Sequence, residues 1–194
     1  MTRTVHPIEA QSYRLLRADV DTSGLPPRTR DVVERIVHTT ADPTWLPDLV
    51  TDEAALEAGA RALADGAPLV VDAAMVAAGI TAYPSICLVD QPALPGLTRS
   101  ASGIRRAAAQ AADGAVWAIG NAPTALAELL RLAAAGDVRP ALVIGLPVGY
   151  VGAAETKAAL RSTGLPQLSN RSARGGSAVA AAAVNALLYG DPLA

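Results

Sequence analysis

The sequence predicts an α/β fold: a parallel sheet of about five strands with helices on both faces, in a single domain. Three observations predict it. Short apolar runs rich in β-branched residues, such as PLVVD and PALVIG, lack the alternation of a half-exposed strand, as strands buried on both faces do. These runs alternate with stretches of helical period, the pattern of right-handed β-α-β crossovers. Three glycine-rich segments, GNAPT, GLPVGYVG and NRSARGGS, each precede a helical stretch. A length of 194 residues suits one domain, residues 1–194, with its core at about 8–190.

In chain order, residues 8–19 place Ile8, Tyr13, Leu15 and Leu16 at helical spacing. Residues 22–27 are a turn, because Pro26-Pro27 cannot continue a helix. RDVVERIVHTTAD, residues 30–42, is an amphipathic helix that breaks before Pro43. It puts Val32, Val33, Ile36 and Val37 on a core face and turns Asp31, Glu34, Arg35 and His38 outward. ADPTWLPDLV is a loop anchored by Trp45. Thr51 or Asp52 caps a helix that runs to about Asp65 and ends at Gly66. Residues 68–72 are the first strand, AAMVAAG a short helix, and residues 84–90 the second strand. After the loop QPALPG come a helix at 100–112, a third strand at 115–120, and a helix at 123–135 with proline in its first turn. A fourth strand at 140–145 and a helix at 153–161 follow. LPQLSN supplies a fifth strand, at the sheet edge, and residues 177–189 the last helix.

Composition excludes several functions. Apolar residues make up 51% and charged residues 18%, which marks a globular chain. A net charge of −2 provides no field for nucleic acid or an anionic membrane. The apolar run at 177–188 is alanine-rich and too short to span a bilayer. MTRTVHPIEAQSYR lacks the apolar centre of a signal peptide, so a cytoplasmic protein is expected. Cys87 is the only cysteine, sits in the apolar run SICLV, and is expected to be a small core residue. Two histidines, one cysteine and scattered acids show no metal-ligand spacing. The glycines at 145, 149 and 152 do not make a dinucleotide fingerprint, and no P-loop or nucleophile-elbow string occurs.

Two groups of residues remain as candidates for function. His38 titrates near neutral pH, and Arg35 lies three positions before it on the same helix surface, so both can address one ligand. The same pair also fits a solvated helix face. Ligands of parallel sheets lie beyond the strand C-termini, and amides at helix N-termini bind anions. Gly120, Asn121, Gly145, Gly149, Gly175, Gly176 and Ser177 are therefore candidate contacts for a ligand with several negative groups. Arg35, Arg99, Arg171 and Arg174 add charge near those loops. Glycine equally permits a tight strand-to-helix turn with no ligand present.

RIVHTTAD, GAPLVVDAAMVAAGIT, LTRSASGI, AIGNAPTALAELL, ALVIGLPVGYVGAAETKAAL and GGSAVAAAAVNALL together resemble the precorrin-8X methylmutase family of cobalamin biosynthesis, in order from about Ser12 to Leu188. The resemblance implies an α/β homodimer with its sites near the subunit interface. It implies movement of a methyl group from C11 to C12 of a corrin-precursor tetrapyrrole, a formal 1,5-sigmatropic shift, giving hydrogenobyrinic acid or its cobalt form without cofactor or metal. It assigns His38 as proton donor or acceptor and Arg35 as a substrate contact. It adds Ser12 in AQSYR, Thr81 and Arg99 to the substrate-binding set. The segment TAYPSICLVDQPALPGLTRS is shorter than in many members, and NRSARGGS has Ser-Ala where a glycine and a basic residue are expected. The competing readings are a non-catalytic corrinoid binder of the same fold and a small α/β domain for a phosphorylated metabolite. His38 argues against the first, because a pure binder needs no titratable group there.

Overall fold

The computed structural model describes residues 5–194. The chain begins with α1 (Pro7–Asp19), which His6 caps by accepting from the Ile8 amide, and α2 (Pro27–Thr40), which opens on proline and closes at Ala41 in the left-handed conformation. The short α3 (Trp45–Asp48) and β1 (Leu49–Thr51) follow, then α4 (Glu53–Ala64), capped by Asp52 accepting from the Ala55 amide. Strand β2 (Leu69–Val71) leads to α5 (Ala74–Ala78) and, after a long loop, α6 (Arg99–Ala108). The remainder alternates regularly: β3 (Val116–Ile119), α7 (Pro123–Ala135), β4 (Leu142–Gly145), α8 (Ala153–Ser162), β5 (Gln167–Asn170) and α9 (Ser177–Tyr189).

The sheet order is β1-β5-β4-β3-β2. Strands β2 to β5 are parallel, as the apolar runs predict. The sheet is nevertheless mixed, because β1 pairs antiparallel with β5. That corrects both the purely parallel sheet and the edge position assigned to LPQLSN. Strand β1 has three residues, all half-buried, in a segment with two prolines nearby, so no periodicity could announce it. Its direction follows from where the chain enters: Leu49 lies opposite Asn170, the last residue of β5. Residues 84–90 also differ from expectation, since only Ile86 bridges Val70 there. Pro84 lacks an amide to give the ladder, and Gly103 of α6 brings its backbone against Leu88, holding this segment as a cover on the β2 edge. Cys87 within it is half-buried rather than central.

Side-chain alternation builds two cores. Leu69, Val71, Val116, Ala118, Leu142 and Ile144 face α2, α4 and α9 on one side. Val70, Trp117, Ile119 and Val143 face α6, α7 and α8 on the other. Helices thus cover both faces as expected. The alanine run of α9 allows close packing against α2, and the two run antiparallel: a Cβ on Gly190, just past α9, would meet the carboxylate of Asp31, near the start of α2, at 3.7 Å. The C-terminal end of α2, with His38, is thereby carried to the strand C-terminal edge where α9 begins.

The polar face of α2 is not turned to solvent. Asp31, Glu34 and Arg35 are buried. Helix α1 lies over them, with Arg17 Nη2 2.8 Å from Glu34 and Thr22 Oγ1 donating to the same carboxylate at 2.6 Å. Two independent surfaces claim this helix, one apolar and one ionic, so a two-faced pattern in sequence does not imply one face in water. Burial pushes the Asp31 carboxyl up to about 6, against the pull of Arg28. The folded state therefore holds this proton more tightly than the unfolded chain, and ionising Asp31 costs stability as pH rises from about 4 to 6. Asp31→Asn is expected to leave thermal stability unchanged near pH 3.5 and to raise it by about 2 kcal/mol at pH 8, read from denaturation midpoints at the two pH values.

Candidate active site

The His38 ring is held from two sides by α1. Ser12 Oγ lies 2.8 Å from His38 Nδ1, and the Tyr13 ring stacks on the imidazole at 4.8 Å between centroids and 27° between planes. Both come from consecutive residues of one helix, whose inward face Tyr13 anchors by complete burial. This fixes the ring plane and leaves Nε2 as the nitrogen for other partners. One turn earlier on α2, the Arg35 guanidinium lies between the Tyr13 and Tyr189 rings, 5.7 and 5.8 Å from their centroids, with Glu9 3.7 Å from Nη1. Burial holds the His38 pKa below its ordinary value, Arg35 adds to this, and Glu9 pulls the other way. The imidazole is therefore neutral at neutral pH.

Two cavities flank this part of α2. One, of about 290 Å³, has Ser12, Leu15, Leu16, His38, Ala41 and Pro43 among its walls. The other, of about 220 Å³, lies on the Arg35 side against α9. A larger cavity of about 670 Å³ occurs by the C-terminal end of α9, lined by Arg28, Arg61 and Leu188 among others, and holds none of the expected site residues.

Ser12, Arg35 and His38 thus form one contiguous group. Thr81 is exposed in the turn after α5, which Asn185 of α9 ties down by donating from Nδ2 to the Gly79 carbonyl at 2.8 Å. Arg99 is exposed at the start of α6, beside Thr98, whose hydroxyl is 2.8 Å from that of Thr124 in α7. Arg99 and Asn121 share the strand C-terminal edge but belong to the α6–α7 side of the sheet.

The glycine loops have more internal duties than expected. The amides of Gly120, Asn121 and Ala122 all donate to the buried carboxylate of Asp72, at 2.9, 2.9 and 2.7 Å. The anion at the start of α7 is thus a residue of the chain itself, and burial pushes its carboxyl up while the three amides pull it down. Asp72 is a residue holding this loop that the sequence did not single out; its signal is an acid at the C-terminal end of an otherwise apolar strand. Gly120 also lacks room for a side chain, since a Cβ would come within 2.7 Å of Ala180. Gly145 packs under Leu160 and Leu126, and Gly149 and Gly176 have positive φ. Gly175 passes so close to the Leu146 and Pro147 carbonyls that no Cβ fits. Ser177, the first residue of α9, is buried.

Arg174 corrects another expectation. Its guanidinium lies 2.6 Å from Asp42, 3.4 Å from Asp48 and 4.4 Å from the Trp45 ring centroid, which commits it to α3 rather than to a ligand. Asp48 also accepts from the Arg171 and Ser172 amides, and the buried Lys157 donates to Asn170 Oδ1 at 2.8 Å and to the Arg174 carbonyl at 2.6 Å. This network clamps the loop that leads into Gly175 and Gly176. Among the described residues no group of three or more His, Cys, Asp or Glu is placed to hold a metal ion, and no helix is long and apolar enough to cross a membrane.

The α/β fold carries a positioned imidazole and a buried arginine side by side at the strand C-terminal edge. Comparison with known proteins narrows this to one family. The sequence model of precorrin-8X methylmutase matches residues 7–190. A precorrin-8X methylmutase of Pseudomonas aeruginosa is 41% identical over 193 residues, covering 93% of each chain. A cobalt-precorrin-8 methylmutase of Methanothermobacter thermautotrophicus is 42% identical over 174 residues, covering 87% of this chain and 84% of that one. The crystal structure of a precorrin-8X methylmutase from Thermus thermophilus superposes with a TM-score of 0.86 at 34% identity, covering 94% of this chain and 96% of that one. The chain belongs to the precorrin-8X methylmutase family.

Proposed function

We infer that this protein is an isomerase that moves a methyl group from C11 to C12 of precorrin-8X, or of its cobalt-containing counterpart, in cobalamin biosynthesis. The observation that carries the site assignment is the Ser12–His38 hydrogen bond of 2.8 Å beside a buried arginine. Substrate and product are isomers, so any proton exchanged at His38 returns within the cycle. A neutral imidazole suits this, because it can accept at one nitrogen while the other is held by Ser12. Arg35 serves the peripheral carboxylates, for which a planar guanidinium is matched. Thr81, Arg99 and the loops at Asn121, Gly149 and Gly176 complete the rim.

The working form is a homodimer. Each cavity beside α2 is smaller than the roughly 300–1,000 Å³ that encloses a drug-sized ligand, so one chain cannot enclose a macrocycle there. The loop after β4 presents Tyr150 and Val151, the latter 87% exposed, at the same edge. Apolar tips of this kind mark an interaction surface, and a second copy covers them while closing the site.

Mixing the protein with precorrin-8X and following the absorbance spectrum tests this reading. Conversion to the hydrogenobyrinic acid chromophore is expected; a spectrum unchanged while the tetrapyrrole co-elutes with protein would mean a binder. In the same assay Arg35→Ala is expected to raise KM by about tenfold or more with a smaller change in kcat, because a carboxylate contact is alike in ground and transition states. A large fall in kcat at constant KM would assign Arg35 to the chemical step.

A further inference from the structure

Arg17 of α1 lies outside the site yet is tied to it through two helices. Its Nε donates to Glu34 Oε1 at 3.0 Å and its Nη2 to Glu34 Oε2 at 2.8 Å, a parallel fork onto a buried carboxylate. Nη2 also lies 2.8 Å from Oδ1 of Asp191, beyond the end of α9, and Oδ2 of Asp191 lies 3.5 Å from Arg30 Nη2 near the start of α2. One guanidinium thus joins α1, α2 and the segment after α9. Tyr13 and Arg17 are four residues apart on α1, and their partners His38 and Glu34 are four apart on α2. Residues at that spacing share a helix face, so the ring stack and the ionic contact report a single register of α1 on α2. Apolar burial has little direction, whereas a forked pair accepts one alignment. Fixing register is the best-attested use of a buried ionic group.

We propose that Arg17 is a positioning residue for the isomerisation: by bridging Glu34 and Asp191 it fixes where α1 lies on α2, and so holds Ser12 and Tyr13 against His38. Its part in turnover rests on the function inferred above; its effect on the imidazole ring does not. The Asp191 arm makes the segment after α9 part of this arrangement, although that arm reaches α2 at Arg30, the opposite end of the helix from His38. Without the bridge α1 keeps its apolar contact through the buried Tyr13 but loses the directional one, and the 2.8 Å bond from Ser12 to the ring depends on that direction.

Proton NMR of the imidazole rings tests this without substrate. The chain has two histidines, and His6 is exposed, so its signal is a reference in the same spectrum; the His38 signal is the one absent from His38→Ala. Stacking on Tyr13 displaces the His38 ring protons from the position of an exposed imidazole. In folded Arg17→Met at pH 8 the His38 signal is expected to move toward that of His6. The single-turnover rate with precorrin-8X is expected to fall about tenfold or more, since a misplacement of about 1 Å can cost about 10²-fold. In a Ser12→Ala background, where the hydrogen bond is already gone, Arg17→Met is expected to slow the reaction by less than it slows the parent. A merely stabilising Arg17 would lower the folded fraction and leave the signal of the folded protein in place. That result, or full multiplication of the two rate losses, would overturn the proposal. Should Arg17→Met fail to fold, Asp191→Asn decides, because Glu34 there keeps its cation. A smaller movement of the same signal and a smaller loss of rate are then expected, and a parent-like spectrum overturns the bridge. A signal that moves, in a protein whose parent does not convert precorrin-8X, would support the register and count against the isomerase reading instead.

Discussion

Replacing His38 by alanine is expected to leave a folded protein that converts precorrin-8X about 10²–10⁴-fold more slowly, the range for loss of a positioned general acid–base group. The ring is half-buried and contributes one hydrogen bond and one stacking contact, so its removal uncovers the Ser12 hydroxyl and one side of Tyr13 but empties no part of either core. A loss of about 1–2 kcal/mol follows from the missing bond and stack, small enough for a chain of this size to remain folded. Circular dichroism and thermal midpoints establish the fold, and single-turnover absorbance the rate. Ser12→Ala, which frees the ring to rotate, is expected to fall between the parent and His38→Ala. A parent-like rate in His38→Ala would remove His38 from the mechanism.

Replacing Asp72 by alanine is expected to be the more damaging change to stability. Three backbone amides lose their common acceptor at a place closed by α9 and the β2 end. A buried donor left unsatisfied costs about 1–3 kcal/mol, and partial hydration of Asn121, which is exposed, offsets some of this. A net loss of about 3–5 kcal/mol is expected, read from urea or thermal midpoints. Asp72→Asn distinguishes charge from shape: one amide oxygen can serve Asn121 and Ala122, but the amino group then faces the Gly120 amide donor to donor. It is therefore expected to recover less than half of the loss. Full stability in Asp72→Asn would show that the carboxylate is not what holds this loop.

The parallel core of the sheet and the helix boundaries at 123–135 and 177–189 were legible because long apolar periods and proline or glycine signals agree there. Strand β1 was not, being three residues long and stabilised by its partner β5 rather than by its own pattern. Residues 84–90 read as a strand because composition alone cannot distinguish a ladder from an edge cover. His38 and Arg35 could be named in advance from the imidazole's chemistry and their helical spacing, but Ser12 only through family resemblance, because that spacing contained nothing about α1. The burial of Glu34 and Asp31 was invisible for the same reason, since a salt-bridged interface and a solvated face have the same sequence. Arg174 and the amides at 120–122 were assigned to a ligand because a charge beside a loop does not reveal that Asp42, Asp48 or Asp72 already answers it.

The central claim is that a neutral His38, kept neutral by burial and Arg35, performs the proton step. The pH dependence of the single-turnover rate with precorrin-8X tests it most directly. In the parent protein the rate is expected to rise with pH to a plateau, with a midpoint below the ordinary histidine value of about 6.5. Arg35→Met, which removes a cation that disfavours imidazolium, is expected to move that midpoint upward, and Glu9→Gln to move it downward. A rate that falls as pH rises through this range, or a midpoint that ignores both substitutions, would contradict it.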